Sequence, residues 1–476
     1  MTQAAPLEKL RSVGIPIVLA GVTIGLALRL FRLVDLHAVD LLFYDQIELY
    51  EAFLDDPSAW DLFRYQHGPH RQGLPFLGTW LLARLTDWNA RADAFQVLAY
   101  VFVATALALA LRRRLFGPFA WTDVAIPLLL LTPAQYGIFI HAPNASHCAG
   151  PLVLLLLMGH ACLIRDPRRR VAALVCLDFL AVHTGFAIFA GALVPILLLL
   201  AAWRDRRDER RGDAAFALGG ALLCVVWIGV FLVGYTGRNG LDAVEQTPRL
   251  ATYPIFAASM FANVLGLKDP GRLPIVVGAL VALAAAVLVL RQLLRLAARS
   301  DPMGAPTARV VGEGERENAR AGATTTASAT ARAEVLFLLA AFSLLYCGAT
   351  AVGRAQFGLS GAQSSRYVPL VAPAFLALLF ATTQLERKVL RHVLGAVAVA
   401  ALVHASFPMH PLEEGFMKQL AQKKRSWVAS YRETGSVEQA SRAARLRIDP
   451  FRDPRRSTDE TFAWLREQHL SFFADR

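Results

Sequence analysis

The feature that most restricts the fold of this chain is a series of long apolar runs, separated from one another by short blocks of arginine. A run of about 20 apolar residues matches the thickness of a bilayer core, and Lys and Arg collect in cytoplasmic loops. Hydrophobic residues make up 55% of the 476 residues and charged residues only 18%, which is too apolar for a soluble protein of this length. The sequence therefore predicts an all-α polytopic membrane protein.

The first basic residues set the direction of the first crossing. The apolar run at residues 13–33 follows Lys9 and Arg11 and is long enough to span, so it is predicted to be a signal anchor with the N-terminus in the cytoplasm. The next strong cytoplasmic marker is the arginine triplet at residues 112–114. Residues 34–97 are therefore predicted to form an unusually long first periplasmic loop of about 60 residues.

An apolar stretch at residues 74–85 lies inside this first loop. It is not predicted to cross the membrane, because a further crossing would leave the arginine triplet outside. We interpret it as an interfacial helix on the outer face. A loop of this length is more often functional than incidental.

The same alternation along the rest of the chain predicts about eleven transmembrane helices within residues 1–407. Residues 300–332 are low in bulky side chains and rich in Ala, Thr, Gly and Arg, so they are predicted to be a disordered cytoplasmic linker. Residues 408–476 are polar, with aromatic residues spaced among charges. They are predicted to form a small C-terminal helical segment on the periplasmic side.

Charge and cysteine content exclude two classes of function. The formal charge is +12, but the arginines cluster at the ends of apolar runs, which is typical of membrane anchoring and not of a nucleic-acid surface. The five cysteines lie in or beside apolar segments, with no CxxC pair among them. They are predicted to be small core residues, neither disulfide partners nor metal ligands.

Carboxylates follow the first span closely, at Asp40, Asp45 and Glu48. An acid at the edge of the bilayer can act as a general base, and Asp45 and Asp40 are the two candidates. Glu48 is a candidate for substrate binding. The alternative for Asp45 is an ordinary loop carboxylate or a helix N-cap.

Basic and imidazole side chains follow in the same loop, at His67, His70 and Arg71. Arg71 is a candidate for binding a phosphate, and both histidines are candidates for binding substrate. The alternative is that all three anchor the neighbouring interfacial helix at the membrane surface. Zinc would need further ligands at suitable spacing, and none is evident.

Two later loops add polar side chains on the same predicted face. Arg354, Arg366 and Tyr367 lie among glycines and hydroxyls, where arginine forks suit a phosphate and small residues let the backbone approach. His141 and His147 are candidates for donating hydrogen bonds to a sugar. The alternatives are arginines that only anchor the ends of spans and an ordinary interfacial loop.

Three short segments resemble elements of the GT-C superfamily of polytopic membrane glycosyltransferases. FYDQIELYEA at residues 43–52 occupies the place of the acid near the start of the first outer loop. GPHRQG at 68–73 is similar to a His-Arg element, and SSRY at 364–367 is similar to a Ser-Arg-Tyr element before a late span. Many members have adjacent acids in the first loop, whereas here Asp45 is followed by Gln46.

The resemblance implies a GT-C-like enzyme of the bacterial inner membrane. Such an enzyme moves a sugar from a polyprenyl-phosphate-linked donor to a glycan, lipid or protein acceptor on the periplasmic side, usually with inversion at the anomeric carbon. Asp45, or Asp40 in its place, would accept the proton of the acceptor hydroxyl. Arg366, Arg354 and Arg71 would bind and stabilise the leaving phosphate.

No nucleotide-binding fingerprint is present, which agrees with a lipid-linked donor. The expected partners are the donor, the acceptor and membrane lipid, with no nucleic acid. No cofactor is expected with certainty, and a divalent metal ion is left open.

The competing prediction is a membrane protein that is not a glycosyltransferase, such as a flippase for lipid-linked glycans, a ligase or polymerase, or a transporter. A transporter is expected to carry ionisable groups within the membrane, where they are costly. Asp178, between Leu177 and Phe179, is the clearest such group. The other charged candidates lie in outer loops, so an enzyme on the outer face is favoured over a conduit.

Overall fold

A computed structural model gives the fold of this chain. The backbone is described for residues 4–236, 248–268, 271–298, 313–449 and 457–474. Side chains are described for these same residues except 4–13 and 313–328.

Helices form because the apolar runs are rich in Ala and Leu, which are strong helix formers. The first half of the chain contains eleven described α-helices and one short hairpin. The helices are α1 Ala4–His37, α2 Asp45–Glu51, α3 Ala59–Phe63, α4 Gly73–Leu85, α5 Ala90–Phe116, α6 Ala125–Leu130, α7 Gly137–Ile140, α8 Ala149–Ala161, α9 Pro167–Val182, α10 Ile188–Gly191 and α11 Val194–Arg207. The hairpin strands are β1 Gln66–His67 and β2 His70–Arg71.

The second half is helical as well. Its described helices are α12 Arg211–Leu232, α13 Thr252–Val264, α14 Arg272–Ala297, α15 Glu313–Arg354, α16 Val368–Thr382, α17 Lys388–Ser406, α18 Pro411–Thr434, α19 Val437–Ala444 and α20 Thr458–Glu467.

Within the described residues, eight helical segments are long and apolar enough to cross a membrane. These are Gly14–His37, Ala90–Phe116, Gly185–Arg207, Arg211–Leu232, Arg272–Ala297, Ala329–Phe357, Ser365–Thr382 and Lys388–Thr434. The chain is thus an all-α polytopic membrane protein.

The predicted count of about eleven spans is not confirmed, because three of the predicted crossings fall on short helices. The stretch at 121–137 is broken into pieces, where Pro133 follows closely after the end of α6 and cannot continue a helix. Helices α8 and α9 have only 13 and 16 residues. Each is shorter than the roughly 20 residues that a straight crossing needs.

Helix α4 corresponds to the predicted interfacial helix at 74–85. Its 13 residues extend for about 20 Å, too short to cross a bilayer core. One face buries Phe76 and Ala83, while Leu81 and Leu85 remain exposed. An apolar face that is open to the surroundings suits a helix lying against lipid.

The linker predicted at 300–332 is only partly described. Residues 300–312 lie outside the described residues, but from Glu313 the backbone is helical and continues without interruption into the span that ends at Arg354. For residues 313–332 the structure thus has a helical backbone where the sequence predicts a disordered linker. Ala, Glu and Arg favour a helix even where bulky side chains are missing, so this segment can extend the helix that follows it.

One end of the bundle collects the predicted cytoplasmic arginines, and we call it the arginine-rich end. Here Arg112 Nε lies 2.7 Å from Asp123 Oδ1, and Arg204 Nη2 lies 2.6 Å from Glu334 Oε1. Arg332 donates to the carbonyl of Leu115. The described buried cations of this end are matched by carboxylates or carbonyls.

At the opposite end, the first loop and the C-terminal segment form one packed unit, which we call the loop lobe (residues 38–89, 411–449 and 457–474). Phe43, Tyr50 and Phe76 from the loop share a hydrophobic core with Trp427 and Phe462 from the C-terminal segment. The C-terminal segment is helical, as predicted. Its core is shared with the loop, and it is not a separate appendage.

Candidate functional site

Helix α2 begins at Asp45, directly after a backbone conformation that non-glycine residues rarely adopt. Tyr44 has a φ of 56°, and such strain persists only where the surrounding structure holds it in place. The backbone N–H of Tyr44 donates to the carbonyl of Ile448, 2.8 Å away in the C-terminal segment. The loop lobe thus sets the position of Asp45.

A buried carboxylate on α5 holds α2 through two hydrogen bonds. Asp93 on α5 accepts hydrogen bonds from Gln46 Nε2 at 2.7 Å and from Tyr50 Oη at 2.9 Å. Gln46 and Tyr50 are one helical turn apart, so both lie on the face of α2 that packs on α5. Asp93 therefore fixes the orientation of the helix that carries Asp45 and Glu48.

The hairpin brings two histidines together. His67 and His70 are paired across β1 and β2, with Gly68 in the left-handed region at φ 55° in the turn between them. His67 Nε2 lies 3.3 Å from Glu48 Oε2. Burial lowers the pKa of His67, but the hydrogen bond to Glu48 and the charges of Glu48 and Asp45 outweigh burial, so the pKa lies above its ordinary value.

A third histidine joins this pair from the loop before α8. The ring of His147 lies 5.6 Å from that of His70 and 6.0 Å from that of His67, centroid to centroid. Burial, and then the charges of His67 and Arg354, lower the pKa of His70 to about 4. Burial, and then His70 and His67, hold the pKa of His147 well below its ordinary value. Both side chains are therefore neutral near pH 7.

His141 connects the first loop to the loop between α15 and α16, which we call the late loop (residues 355–367). Its ring lies 4.8 Å from that of Tyr44, and its Nδ1 contacts the guanidinium Nη2 of Arg366. Burial, and then the charges of Arg366 and Lys424, lower the pKa of His141 to about 3. The imidazole is neutral, so its Nδ1 can accept a hydrogen bond from Arg366.

The loop that carries Arg366 is fixed from two sides. The backbone N–H of Gly137 donates to Ser365 Oγ at 3.2 Å, and Asn263 Nδ2 donates to the carbonyl of Ser364 at 3.0 Å. A Cβ at Gly137 would lie 2.3 Å from Ser365 Oγ, so only glycine permits this approach.

Arg354 and Tyr367 are the other predicted site residues at the late loop. Arg354 ends α15, with its guanidinium 5.6 Å from the centre of the Phe357 ring. The Tyr367 ring contacts Tyr346, which in turn contacts Phe186 beside His70. Among the described residues, neither Arg354 nor Arg366 forms an ion pair with a carboxylate.

The structure thus brings together most of the predicted site residues. We call this set the histidine–arginine cluster, and it consists of Asp45, Glu48, His67, His70, His141, His147, Arg354 and Arg366. They come from four segments of the chain, and all lie at the end of the bundle that carries the loop lobe. An acid, neutral imidazoles and cations without carboxylate partners can position a hydroxyl and hold an anion.

Arg71 lies outside this cluster, and the prediction that it binds phosphate is corrected. Its guanidinium donates to the carbonyls of Phe231, Val233 and Arg64. Carbonyls at the end of a helix lack intrahelical donors, so Arg71 caps α12. Adjacency to His70 in sequence did not predict this role, because neighbouring strand residues point to opposite faces.

Asp40, the other candidate base, is not part of this cluster. Its Oδ1 accepts hydrogen bonds from the backbone N–H of Ala90 at 2.8 Å and from Ser471 Oγ at 3.2 Å. Asp40 lines a cavity of about 410 Å³ between the first loop and α18, bordered by Arg425. Asp40 therefore stabilises the start of α5, whereas Asp45 and Glu48 are the carboxylates of the cluster.

Lys424 is the main site residue that the sequence did not indicate. It comes from α18 in the C-terminal segment, and its Nζ lies 3.0 Å from the carbonyl oxygen of His141. A lysine in a polar helix next to another lysine, Lys423, has no pattern that marks it as buried. Only the docking of α18 reveals its position.

Two further expectations concern metal binding and transport. In the part of the chain that the structure describes, no group of three or more His, Cys, Asp or Glu side chains is arranged to hold a metal ion. Asp178 is fully buried on α9, and no ion pair with it occurs among the described residues.

No protein-family model, curated protein or solved structure matches the chain.

Proposed function

We propose that this protein is a GT-C-like membrane glycosyltransferase that moves a sugar from a polyprenyl-phosphate-linked donor to a cell-envelope acceptor. The observation that carries the proposal is the meeting of two distant loops, in which Tyr44, next to Asp45, contacts His141, and His141 contacts Arg366. A carboxylate and a guanidinium thus share one end of a membrane-embedded bundle.

The cations account for the donor side of the reaction. The lipid tail stays in the bilayer while its phosphate reaches the interface, where Arg366 and Arg354 bind it. Guanidinium groups offer planar pairs of donors to phosphate oxygens. As the bond between the sugar and the phosphate breaks, negative charge grows on the phosphate, and the two arginines stabilise that charge. Tyr367 lies beside them and adds a hydroxyl donor.

Asp45 accounts for the acceptor side. It takes the proton from the acceptor hydroxyl as that oxygen attacks the anomeric carbon, which inverts the configuration at that carbon. Glu48, His67, His70 and His147 line the approach and supply hydrogen bonds to sugar hydroxyls. The proposed location is the inner membrane of a bacterium, with the N-terminus cytoplasmic and the C-terminus periplasmic.

The test compares Asp45→Asn with Asp40→Asn in a deletion strain. Removing a general base lowers turnover by about 10²- to 10⁴-fold. The Asp45→Asn variant is therefore expected not to restore the glycan modification that the deletion strain lacks. Asp40→Asn keeps the hydrogen bond at the start of α5 and is expected to restore it. Mass spectrometry of envelope glycans and lipid-linked sugars measures both.

Equal restoration by the two variants would remove Asp45 as the base. A deletion strain that accumulates a complete lipid-linked glycan on the cytoplasmic side would instead favour a flippase. Immunoblots of membrane fractions show that each variant is produced and inserted.

A further inference from the structure

We propose that Lys424 of the C-terminal helix α18 is the third cation of the anion site, so that docking of the C-terminal segment completes the site. The inference rests on and deepens the proposed function, since the anion is the phosphate of the prenyl-linked donor, which leaves as a prenyl phosphate monoester after sugar transfer.

Lys424 lies in the interior, and its hydrogen bonds are incomplete. The residue is 3% exposed. Its Nζ lies 3.0 Å from the carbonyl oxygens of Ile140 and of His141, and 4.2 Å from the centre of the Phe43 ring. An ammonium has three N–H donors: two carbonyls accept two of them, and the Phe43 ring, a weaker partner than an anion, lies beside the group.

The charge of Lys424 is also unmatched. In the described part of the chain Lys424 forms no ion pair with a carboxylate. Arg366 contacts the ring of His141, the residue whose backbone carbonyl lies 3.0 Å from Lys424 Nζ. Two cations therefore contact one histidine, Lys424 at its backbone carbonyl and Arg366 at its neutral ring. Burying like charges together is costly unless an anion joins them.

Two cations in the interior of the arginine-rich end are neutralised by the fold itself. Arg112 lies 2.7 Å from Asp123, and Arg204 lies 2.6 Å from Glu334. These two cations have a carboxylate partner, whereas buried Arg71 donates to three backbone carbonyls. Lys424 also contacts carbonyls, and a second cation, Arg366, contacts the same histidine. At Lys424 no acid is supplied, and the phosphate of a ligand fills that role.

Helix α18 has the packing needed to hold Lys424 in place. Leu420, Trp427 and Tyr431 are buried on the same side of the helix, at the spacing of one apolar face. This face packs on Phe43 and its neighbours in the loop lobe. Lys424 is therefore presented to the cluster by a rigid helix.

The experiment measures binding to the purified full-length protein in detergent, and so needs no turnover. The probes are a prenyl phosphate, the matching prenyl alcohol, inorganic phosphate and phosphatidylglycerol. The variants are Lys424→Met, which keeps length and apolar packing, Lys424→Arg, which keeps the charge, and Lys423→Met as the matched control from the adjacent position.

Loss of a charge-assisted hydrogen bond is expected to weaken prenyl phosphate binding to Lys424→Met by about 10- to 100-fold. Binding of prenyl alcohol is expected to stay unchanged, Lys424→Arg to retain most of the affinity for prenyl phosphate, and Lys423→Met to match the wild type. This result supports the inference even if Asp45→Asn shows no effect on sugar transfer, so the two proposals fail separately.

Three outcomes overturn the inference. One is unchanged prenyl phosphate affinity in a folded Lys424→Met protein. Another is an equal loss for the phosphate and the alcohol, which indicates that Lys424 only supports packing. The last is dependence on Lys424 for inorganic phosphate or phosphatidylglycerol but not for prenyl phosphate, which assigns the anion to another source.

Discussion

At the arginine-rich end of the bundle, Arg112 and Arg204 each lie against a carboxylate, whereas at the end that carries the loop lobe Arg366 and Lys424 lie against a histidine and backbone carbonyls. Breaking a buried ion pair leaves an uncompensated charge. Removing a cation that has no acid partner leaves no unpaired carboxylate behind. We infer that the first group of cations stabilises the protein and that the second is available to a ligand.

The largest expected effect is on stability at the arginine-rich end. Glu334→Ala leaves Arg204, and Arg170 at 3.9 Å, without their carboxylate, which is expected to cost about 3–5 kcal/mol of unfolding free energy. Arg366→Ala removes a cation without an acid partner, and is expected to change the unfolding free energy by less than about 1 kcal/mol. Denaturant titration of the purified protein in detergent measures both. Similar losses in the two variants would contradict the comparison.

A second, smaller effect separates two arginines that the sequence treated alike. Arg366→Ala is expected to weaken prenyl phosphate binding by about 10- to 100-fold, because a charge-assisted hydrogen bond is lost. Arg71→Ala is expected to leave this affinity unchanged and to lower the unfolding free energy by about 1–3 kcal/mol, since carbonyls at the end of α12 lose their donor. Isothermal titration and denaturant unfolding measure the two quantities. A loss of affinity in a folded Arg71→Ala protein would return Arg71 to the site.

The smallest expected effect is a dependence of phosphate binding on pH at the end of the bundle that carries the loop lobe. The pKa of His67 is raised, so His67 gains its charge as the pH falls through that raised value, and phosphate binding is expected to strengthen there. The stability that the contact with Glu48 contributes is present below the ordinary pKa of histidine and is lost as the pH rises through the raised one. His70 has a pKa of about 4, so it does not titrate in this window.

Glu48→Gln tests the assignment to His67. The variant removes the charge that raises the pKa of His67, so the inflection in prenyl phosphate affinity is expected to move to lower pH, with a change of about threefold at pH 7, or about 0.7 kcal/mol. Comparison of the variant with the wild type cancels the ionisation of the ligand itself. An inflection at the same pH in both proteins would assign the titration to another group.

Part of the fold and of the site was predictable from local sequence. Lengths of apolar runs and positions of arginine blocks predict membrane helices, because the bilayer imposes one thickness on every span. The count was less predictable, since Pro133 and the short α8 and α9 divide apolar stretches in ways that hydropathy does not detect. The acid near the start of the first loop was likewise evident, but the choice between Asp40 and Asp45 was not.

The sequence by itself determined that this is a helical membrane protein and which loops carry polar side chains, because both follow from the types of residue within one segment. Only the tertiary structure decided which charges are neutralised. Arg71 and Arg366 look alike in sequence, yet one caps α12 and the other contacts His141. Lys424 reaches the carbonyl of His141 only through the packing of α18. The electrostatic state of a buried group depends on partners that are hundreds of residues away in the chain.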